Sequence, residues 1–500
     1  MRRTAFAIVC VTIGLGAVAC GNDGKPETMR LRVMEFNIEY GGTLVSFDKV
    51  VEAIKVAEPD VVGLEEAETN APRLAKAVGF PYASGGMHII SKYPILEPSG
   101  SGGAYAFIEV RPGEVVALSN VHLPSDPYGP YLVRDGKPLA RILEVERSLR
   151  LSALEAQRKL LPPVVESGIP VFMTGDFNAP SHLDWTAAAA GSRKYQDRAI
   201  RWPVSAAVEK LGFRDSYREA HPDPVADPGL TWWAARPKAP DRAGNASEKD
   251  PQDRIDFVYA AGAAKTLTSD VIGEVGAIGV AKSVTPWPSD HRAVVSTFEV
   301  TPARMPVMIA TDKVLFTAGE TLDFTYKAGG ENATLIITPQ GDRTTFEREE
   351  KLEQRSGTVM LPGTLEPGAY DAVLSSSKQT VTTSFWVQAK GARTEVLTDK
   401  RAYRVGEPIE VSWLNAPANR WDWLGVYRAP TDTENDSYLV WQYTGGKTAG
   451  TLHGKPADTY TIDGDSTYGN PWPLPPGRYE VHYLLSDAYT SAGHASFAVR

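Results

Sequence analysis

Between residues 37 and 291, a carboxylate, amide or imidazole repeatedly stands at the end of a short apolar run. Asn37 follows Val33-Met34-Glu35-Phe36, Glu65 and Glu66 follow Val61-Val62-Gly63-Leu64, and His122 follows Leu118-Ser119-Asn120-Val121. Asp176 and Asn178 follow Val171-Phe172-Met173, Asp256 lies in Arg254-Ile255-Asp256-Phe257, and Asp290-His291 precedes Arg292-Ala293-Val294-Val295. Carboxylate and amide oxygens with no thiol among them suit a hard, octahedral cation such as Mg²⁺, with Mn²⁺ or Ca²⁺ as alternatives. Imidazoles beside such a cation serve as a general base and as a donor to a phosphoryl oxygen. Any one of these residues alone reads as a cap or a turn residue. Their joint recurrence at strand ends points to one site.

Side chains converge at strand ends in α/β sheets, so the elements between them should alternate strand and helix. Leu31 to Phe36 alternates with period two, as a half-buried strand does, and Ser46 is placed to N-cap a helix running to Val56 before Pro59. Val61–Leu64 reads as a short buried strand, and Ala104–Val110 with Val115–Val121 as a hairpin. Ile142, Val145, Leu149, Ala153, Ala156 and Leu160 form the stripe of one long amphipathic helix, ended by Pro162-Pro163. Ile169–Met173 is a further strand, followed by the loop Thr174–Pro180. Residues 30–302 are therefore expected to form a mixed-sheet α/β domain.

Beyond residue 303 helical periodicity disappears and short strands alternate with Gly/Pro turns. Thr311-Asp312-Lys313 with Gly319-Glu320 returns as Thr398-Asp399-Lys400 with Gly406-Glu407, and Pro367-Gly368-Ala369-Tyr370 as Pro476-Gly477-Arg478-Tyr479. Two all-β, immunoglobulin-like sandwiches are expected, over residues 303–390 and 391–500, on strand spacing alone, since no Cys…Trp…Cys pattern is present.

The 500 residues are too many for one ordinary domain, and 42% apolar with 23% charged residues describes a folded chain. Lys and Arg (52) fall short of Asp and Glu (61), net charge −9, which excludes a basic wrapper of nucleic acid but not a nuclease that holds its substrate through a metal ion. Only two cysteines occur, so a disulfide framework is excluded. Both lie in an N-terminal segment with Arg2-Arg3 followed by an apolar run from Ala5 to Ala19, shorter than the about 20 residues of a bilayer span. Residues 1–19 read as an export signal. Ala17-Val18-Ala19-Cys20 resembles a bacterial lipobox, with Ala17 where Leu is usual. Two outcomes stay open: lipidation of Cys20 with residues 20–29 as a membrane tether, or ordinary cleavage near Ala19. The expected location is outside the cytoplasm, as a cell-surface lipoprotein or a secreted protein.

In order, FNIEYGG, PDVVGLEEAE, SNVHLP, TGDFNAP, DRIDFVY and PSDHRAV resemble the endonuclease/exonuclease/phosphatase superfamily. The resemblance covers roughly residues 30–300. It implies a four-layer αββα sandwich and divalent-metal hydrolysis of a phosphate ester. Position by position, it implies Asn37, Glu66 and Asp290 near the metal, with Glu66 the main carboxylate; Glu65, where Gln is common, is the alternative. It implies His122 on the phosphoryl group, Asp176 orienting the attacking water, Asn178 supporting phosphate, and His291 as the base held by Asp256. Asp253 has no counterpart and reads as a loop charge.

The substrate is not legible in these motifs. Trp232 and Trp233 sit in a Pro-rich loop, His221–Asp250, and read either as a surface for a base, sugar or lipid or as loop anchors. Lys92, Arg134, Lys137, Arg193 and Lys194 are candidate phosphate contacts or plain surface charge. A phosphodiesterase or monoesterase acting on a soluble organophosphate, an endonuclease on DNA or RNA, and a sphingomyelinase-like lipid phosphodiesterase all remain. A different class is a non-catalytic surface binding protein, with Trp421, Trp423, Tyr427, Trp441 and Tyr443 as its binding face.

Overall fold

Two parallel strand pairs carry the site, and both end at the same place. The computed structural model describes residues 27–238, 245–311, 313–342, 344–445, 454–463 and 472–500, so the expected signal, Cys20 and most of the tether lie outside the described residues. In chain order the first strands are β1 (Met29–Asn37), β2 (Val61–Glu65), β3 (Tyr82–Ser84), β4 (Ile89–Ser91), β5 (Ile95–Leu96), β6 (Ala106–Arg111) and β7 (Glu114–His122). They are followed by β8 (Val171–Asp176), β9 (Arg214–Asp215), β10 (Asp256–Ala261), β11 (Ala264–Gly273), β12 (Val280–Ser283), β13 (Ala293–Val300) and β14 (Ala303–Arg304). One sheet runs β12-β11-β13-β1-β2-β4-β3; the other runs β5-β6-β7-β8-β10-β9, with β14 also paired to β7. β1 and β2 are parallel with Asn37 opposite Glu65, and β7 and β8 are parallel with His122 opposite Asp176. β10 returns antiparallel to β8 and sets Asp256 opposite Asp176.

The sheets face each other across a core that includes Leu31, Val33, Ile108, Leu118, Phe172 and Phe298. Helices Phe47–Ala57 and Ala71–Val78 cover the outer face of the first sheet through Ile54 and Leu74. Helices Glu155–Glu166 and Pro203–Lys210 cover the second through Leu161, Val164, Val204 and Val208. The result is a four-layer αββα sandwich. Because both faces of β1 are covered, every residue from Val33 to Asn37 is buried, Glu35 included; period two did not mean half exposure here. Ser46 holds the N-cap position, although its side chain makes no capping hydrogen bond.

The long helix expected from Ile142 to Leu160 is interrupted. Helix Leu139–Glu146 passes through a wide π turn, Arg147–Leu151, before helix Glu155–Glu166 begins. The interruption coincides with Arg150, which turns fully inward to Glu146 (2.8 Å) and donates to the carbonyls of Ser125 (2.6 Å) and Pro127 (3.0 Å). Pro162 and Pro163 lie inside the second helix instead of ending it. The carbonyls they leave without an amide belong to Arg158 and Lys159, both on the exposed side of the helix.

Gly175 of the GDFN segment has φ 151°, and a Cβ there would stand 2.0 Å from the Val121 carbonyl oxygen on the neighbouring strand. Only glycine lets β8 approach β7 closely enough to pair Asp176 with His122. Gly175→Ala is therefore expected to lower stability by about 2–3 kcal/mol. Guanidinium denaturation measures this, and an unchanged midpoint would contradict it.

After β14 the chain forms two β-sandwiches with the same plan, each a three-stranded sheet facing a five-stranded one. The repeated Pro-Gly-x-Tyr segments do the same work in both. Tyr370 Oη donates to Glu366 O (2.8 Å) and Tyr479 Oη to Pro475 O (2.5 Å), each pinning its own strand entrance. The Lys and Glu of the other repeated segment pair as Lys313–Glu320 and Lys400–Glu407. Cores centred on Phe324 and Phe385, and on Trp413 and Tyr483, fill the two sandwiches. Among the described residues no helix is long and apolar enough to cross a membrane.

The last sandwich lies against the first half of the chain. Arg420, fully buried, donates to the carbonyls of Gly103 (3.0 Å) and Asn120, and Trp421 stacks on His88 with ring centroids 5.3 Å apart.

Candidate active site

The sheet register delivers the chemistry-bearing side chains to one end of the sandwich, and left-handed turns aim them. Glu66 (φ 51°) and Asn178 (φ 47°) both adopt backbone conformations that non-glycine residues rarely take, one and two residues beyond their strands. At the centre is Asp176, 1% exposed. Its Oδ2 accepts from Asn37 Nδ2 (3.2 Å) and Asn178 Nδ2 (3.1 Å), and its Oδ1 from the Asn178 amide (2.8 Å). Two imidazoles flank it equally: His122 Nε2 and His291 Nε2 each stand 3.7 Å from Oδ2. His291 Nδ1 is held by Asp256 at 3.0 and 3.1 Å. His122 Nδ1 faces Asp487 of the last sandwich at 3.9 Å.

Burial would lower the pKa of both imidazoles, and the surrounding carboxylates outweigh it. Asp487, Asp176 and Glu66 push His122 up to about 9. Asp256, Asp176 and Asp290 hold His291 well above the ordinary imidazole value. Asp176 is pushed up to about 6 by burial, which the two imidazoles oppose. Behind it lie two fully buried carboxyls, Glu35 and Glu65. Burial raises both, Glu65 to about 8, and neighbouring carboxylates reinforce the shift at Glu35.

The donor set fits a hard cation. Glu66 and Asp290 line a cavity of about 310 Å³, and Asp290 Oδ1 is buried without a hydrogen-bond partner. Glu66 Oε1 and Oε2 accept from Asn37 Nδ2 (3.2 Å) and the Tyr40 amide (3.3 Å), which orient the carboxylate. Asn37 turns its NH₂ to Glu66 and Asp176, and its oxygen accepts from the Glu39 amide (3.1 Å). It thus braces the carboxylates in this arrangement. Glu65, the alternative to Glu66, does not line the cavity. Asp176, Asp256 and His291 also present three donor atoms within 4.8 Å of one another, but Asp256 is fully buried and committed to His291.

Several expected roles shift in this geometry. Both amide hydrogens of Asn178 are engaged, by Asp176 and by Leu123 O (2.9 Å), so it positions Asp176. Trp232 Nε1 donates to Asp290 Oδ2 (3.3 Å) and its ring packs on Tyr128 and Tyr131, which anchors the Asp290-His291 segment. Trp233 lines a separate depression beside Arg193 and Lys194. Asp253 is no loop charge: it is buried, accepts from Trp185 Nε1 (2.9 Å) and Tyr128 Oη (3.2 Å), and burial pushes it up to about 6. None of Lys92, Arg134, Lys137, Arg193 and Lys194 lines the site cavity.

Two sets of residues had escaped sequence reasoning. Glu39 is buried in a bidentate pair with Arg236 (2.6 Å twice) and accepts from the Asp290 amide (3.1 Å), tying the Trp232 loop to the site. The far wall of the cavity comes from the last sandwich and includes Trp423, Trp441, Tyr443 and Asp487. The free aromatic face that the surface-binding alternative requires is therefore absent among the described residues, and core packing accounts for most of these side chains. Trp421 and Tyr427 are fully buried, and Trp423 is 5% exposed.

Residues 34–291 match the profile of the endonuclease/exonuclease/phosphatase family. An uncharacterized protein of Caenorhabditis elegans is 32% identical over 258 residues, 46% of this chain and 79% of its own length. Among solved structures, an endonuclease/exonuclease/phosphatase family protein from Bacteroides thetaiotaomicron has 14% identity over 55% of this chain and 97% of its own, with a TM-score of 0.32. D. rerio TDP2 complexed with single strand DNA product has 16% identity over 54% and 98%, with a TM-score of 0.30. The profile match covers most of the αββα sandwich, all but the start of β1 and strands β13 and β14, and takes in every strand end that feeds the Asp176 cluster, and on that match this chain belongs to the endonuclease/exonuclease/phosphatase family.

Proposed function

We propose that this chain is an exported phosphoesterase that hydrolyses a phosphodiester or phosphomonoester with a divalent cation held by Glu66 and Asp290 and braced through Asn37. One observation carries the reading: Asp176 lies 3.7 Å from each of two imidazoles beside a cavity lined by those carboxylates. The family as a whole acts on phosphate esters, generally with divalent metals. A bound Mg²⁺ or Mn²⁺ supplies positive charge against the phosphate anion and lowers the pKa of the neighbouring imidazoles.

Everything else falls to the chain's own groups. Asp176 Oδ2 and His291 Nε2 bracket the place from which a water attacks: the carboxylate orients it and the imidazole takes its proton. Asp256 on Nδ1 keeps Nε2 as the free nitrogen and stabilises the imidazolium that forms. His122, on the opposite side of Asp176, donates to a phosphoryl oxygen as negative charge builds there. Asn178 and Asn37 hold Asp176 in place.

Purified full-length protein is expected to release p-nitrophenol from bis(p-nitrophenyl) phosphate or p-nitrophenyl phosphate with Mg²⁺ or Mn²⁺, and neither after chelation. No release from either ester with any divalent metal would overturn the proposal and favour the surface-binding reading. Export is supported by the Arg2-Arg3 and Ala5–Ala19 pattern. The amino terminus of the mature protein tests it, with lipid on Cys20 marking the tethered form and an unprocessed Met1 counting against export.

A further inference from the structure

The phosphoesterase sandwich forms only one wall of its own cavity. Glu66, Glu68, His122 and Asp290 line one side, and Trp423, Tyr438, Trp441, Asp487 and Tyr489 of the last sandwich line the other. The second wall is firmly held. Asp422, fully buried, accepts from the amides of Asn419 and Ser486 (2.9 Å each) and from Tyr483 Oη (3.0 Å), clasping the loop that presents Asp487. The Asp487 amide donates to Trp421 O (2.9 Å), and Tyr443 Oη donates to Asp487 Oδ1. Its Oδ2 faces His122 Nδ1 at 3.9 Å and makes no hydrogen bond, and the side chain is 10% exposed. Arg420 and the Trp421–His88 stack fix the whole sandwich to the first half.

The chemistry of this wall is selective. Among the described residues lining the cavity none is Lys or Arg, while Glu66, Glu68, Asp290 and Asp487 are acidic, as is Glu39, which is paired with Arg236. A nucleic-acid strand needs a groove of cations along its backbone, and a polyphosphate needs a cationic pocket. Here the metal-facing carboxylates are followed by further carboxylates and by edge-to-face aromatics, Trp423–Tyr438, Tyr438–Trp441 and Trp441–Tyr443. Aromatic faces beside carboxylates are the recognition chemistry of an alkylammonium group. A cavity of about 310 Å³ admits a compact ester and not a duplex.

We propose that the last sandwich is a working wall of the active site, and that its aromatic and acidic side chains receive the cationic, alkylammonium end of a compact phosphate ester. The inference rests on the phosphoesterase reading above. In the reaction the water oxygen bonds to phosphorus, the bond from phosphorus to the leaving oxygen breaks, and that oxygen ends protonated.

The test compares p-nitrophenyl phosphorylcholine with its uncharged carbon isostere, p-nitrophenyl 3,3-dimethylbutyl phosphate, on the full-length protein with Mn²⁺. The choline ester is expected to have a kcat/KM about 10-fold higher. Trp441→Ala and Tyr438→Ala should erase most of that preference, and Trp441→Phe should keep it, which separates lost recognition from lost folding. Equal rates on the two esters, a preference unchanged in both alanine variants, or faster cleavage of a single-stranded oligonucleotide would overturn the inference. Hydrolysis of bis(p-nitrophenyl) phosphate in the same samples keeps the two readings apart. Its absence together with that of p-nitrophenyl phosphate hydrolysis removes the phosphoesterase proposal itself, whereas its presence without a cation preference removes only this one.

Discussion

His291→Ala is expected to lower kcat by about 10³-fold while leaving the fold intact. The imidazole is 5% exposed, its Nδ1 is fixed by Asp256 at 3.0 Å, and its Nε2 points at Asp176 from 3.7 Å. His122 cannot replace it, because it contacts the same Asp176 oxygen from the β7 side and faces Asp487 with its other nitrogen. The alanine removes a proton acceptor and leaves Asp256 buried without its partner, so circular dichroism should be unchanged while the melting temperature falls by a few degrees. Asp256→Asn separates the two functions of the pair. It should lower kcat by a smaller factor, about 10- to 100-fold, because the imidazole stays but loses the anion on Nδ1. It also carries a signed pH effect. Asp256 is the largest of the carboxylates that hold His291 above its ordinary value against burial. Without that carboxylate the imidazole loses its proton at lower pH, so the acidic limb of the kcat profile moves to lower pH. Near-normal turnover in His291→Ala, or an acidic limb that moves upward in Asp256→Asn, would remove His291 from the role of base.

The second large effect is expected at the metal. Glu66→Ala should raise the Kd for Mn²⁺ by about 100-fold and lower turnover by at least as much at low metal, with partial recovery as Mn²⁺ is increased. Glu66 lines the cavity with its oxygens oriented by Asn37 and the Tyr40 amide, and its replacement leaves Asp290 as the remaining carboxylate of the pair that would hold the cation. Glu65→Gln is the matched contrast. Glu65 lies behind the site, fully buried, with burial pushing its carboxyl up to about 8, so a neutral amide of the same shape resembles the form it already takes near pH 7. Mn²⁺ affinity and turnover should stay within a few-fold of the parent. Isothermal titration on both variants decides between the two glutamates: an unchanged Kd in Glu66→Ala together with a large loss in Glu65→Gln would exchange their roles.

Much of this centre is legible before any coordinates. Asn37, Glu66, His122, Asp176, Asp256, Asp290 and His291 are each marked by a strand that ends beside them, and strand length and alternation are local properties of the chain. The same locality explains the errors. Glu35 looked half exposed because period two reports alternation and does not say whether both faces of a sheet are covered. Pro162 and Pro163 looked like a helix end because their ring geometry is local, while the exposure of Arg158 and Lys159, whose carbonyls lose their amides, depends on which side of the helix meets solvent. Asp253 looked like a loop charge because nothing near it in sequence announces Trp185 and Tyr128.

By itself, then, the sequence determined a mixed-sheet α/β domain, a pair of β-sandwiches and a set of carboxylates, amides and imidazoles at strand ends, because each is written in residues a few positions apart, while the four-layer αββα arrangement followed from the resemblance of the ordered motifs to a known family. The tertiary structure alone decided that Asn178 and Trp232 brace the site, that Glu66 and not Glu65 reaches the cavity, and that Trp441, Tyr438 and Asp487 stand opposite it. Those relations join residues separated by much of the chain. They depend on how one sheet's register, one buried arginine and one docked sandwich are packed together, and spacing along the chain carries no record of that packing.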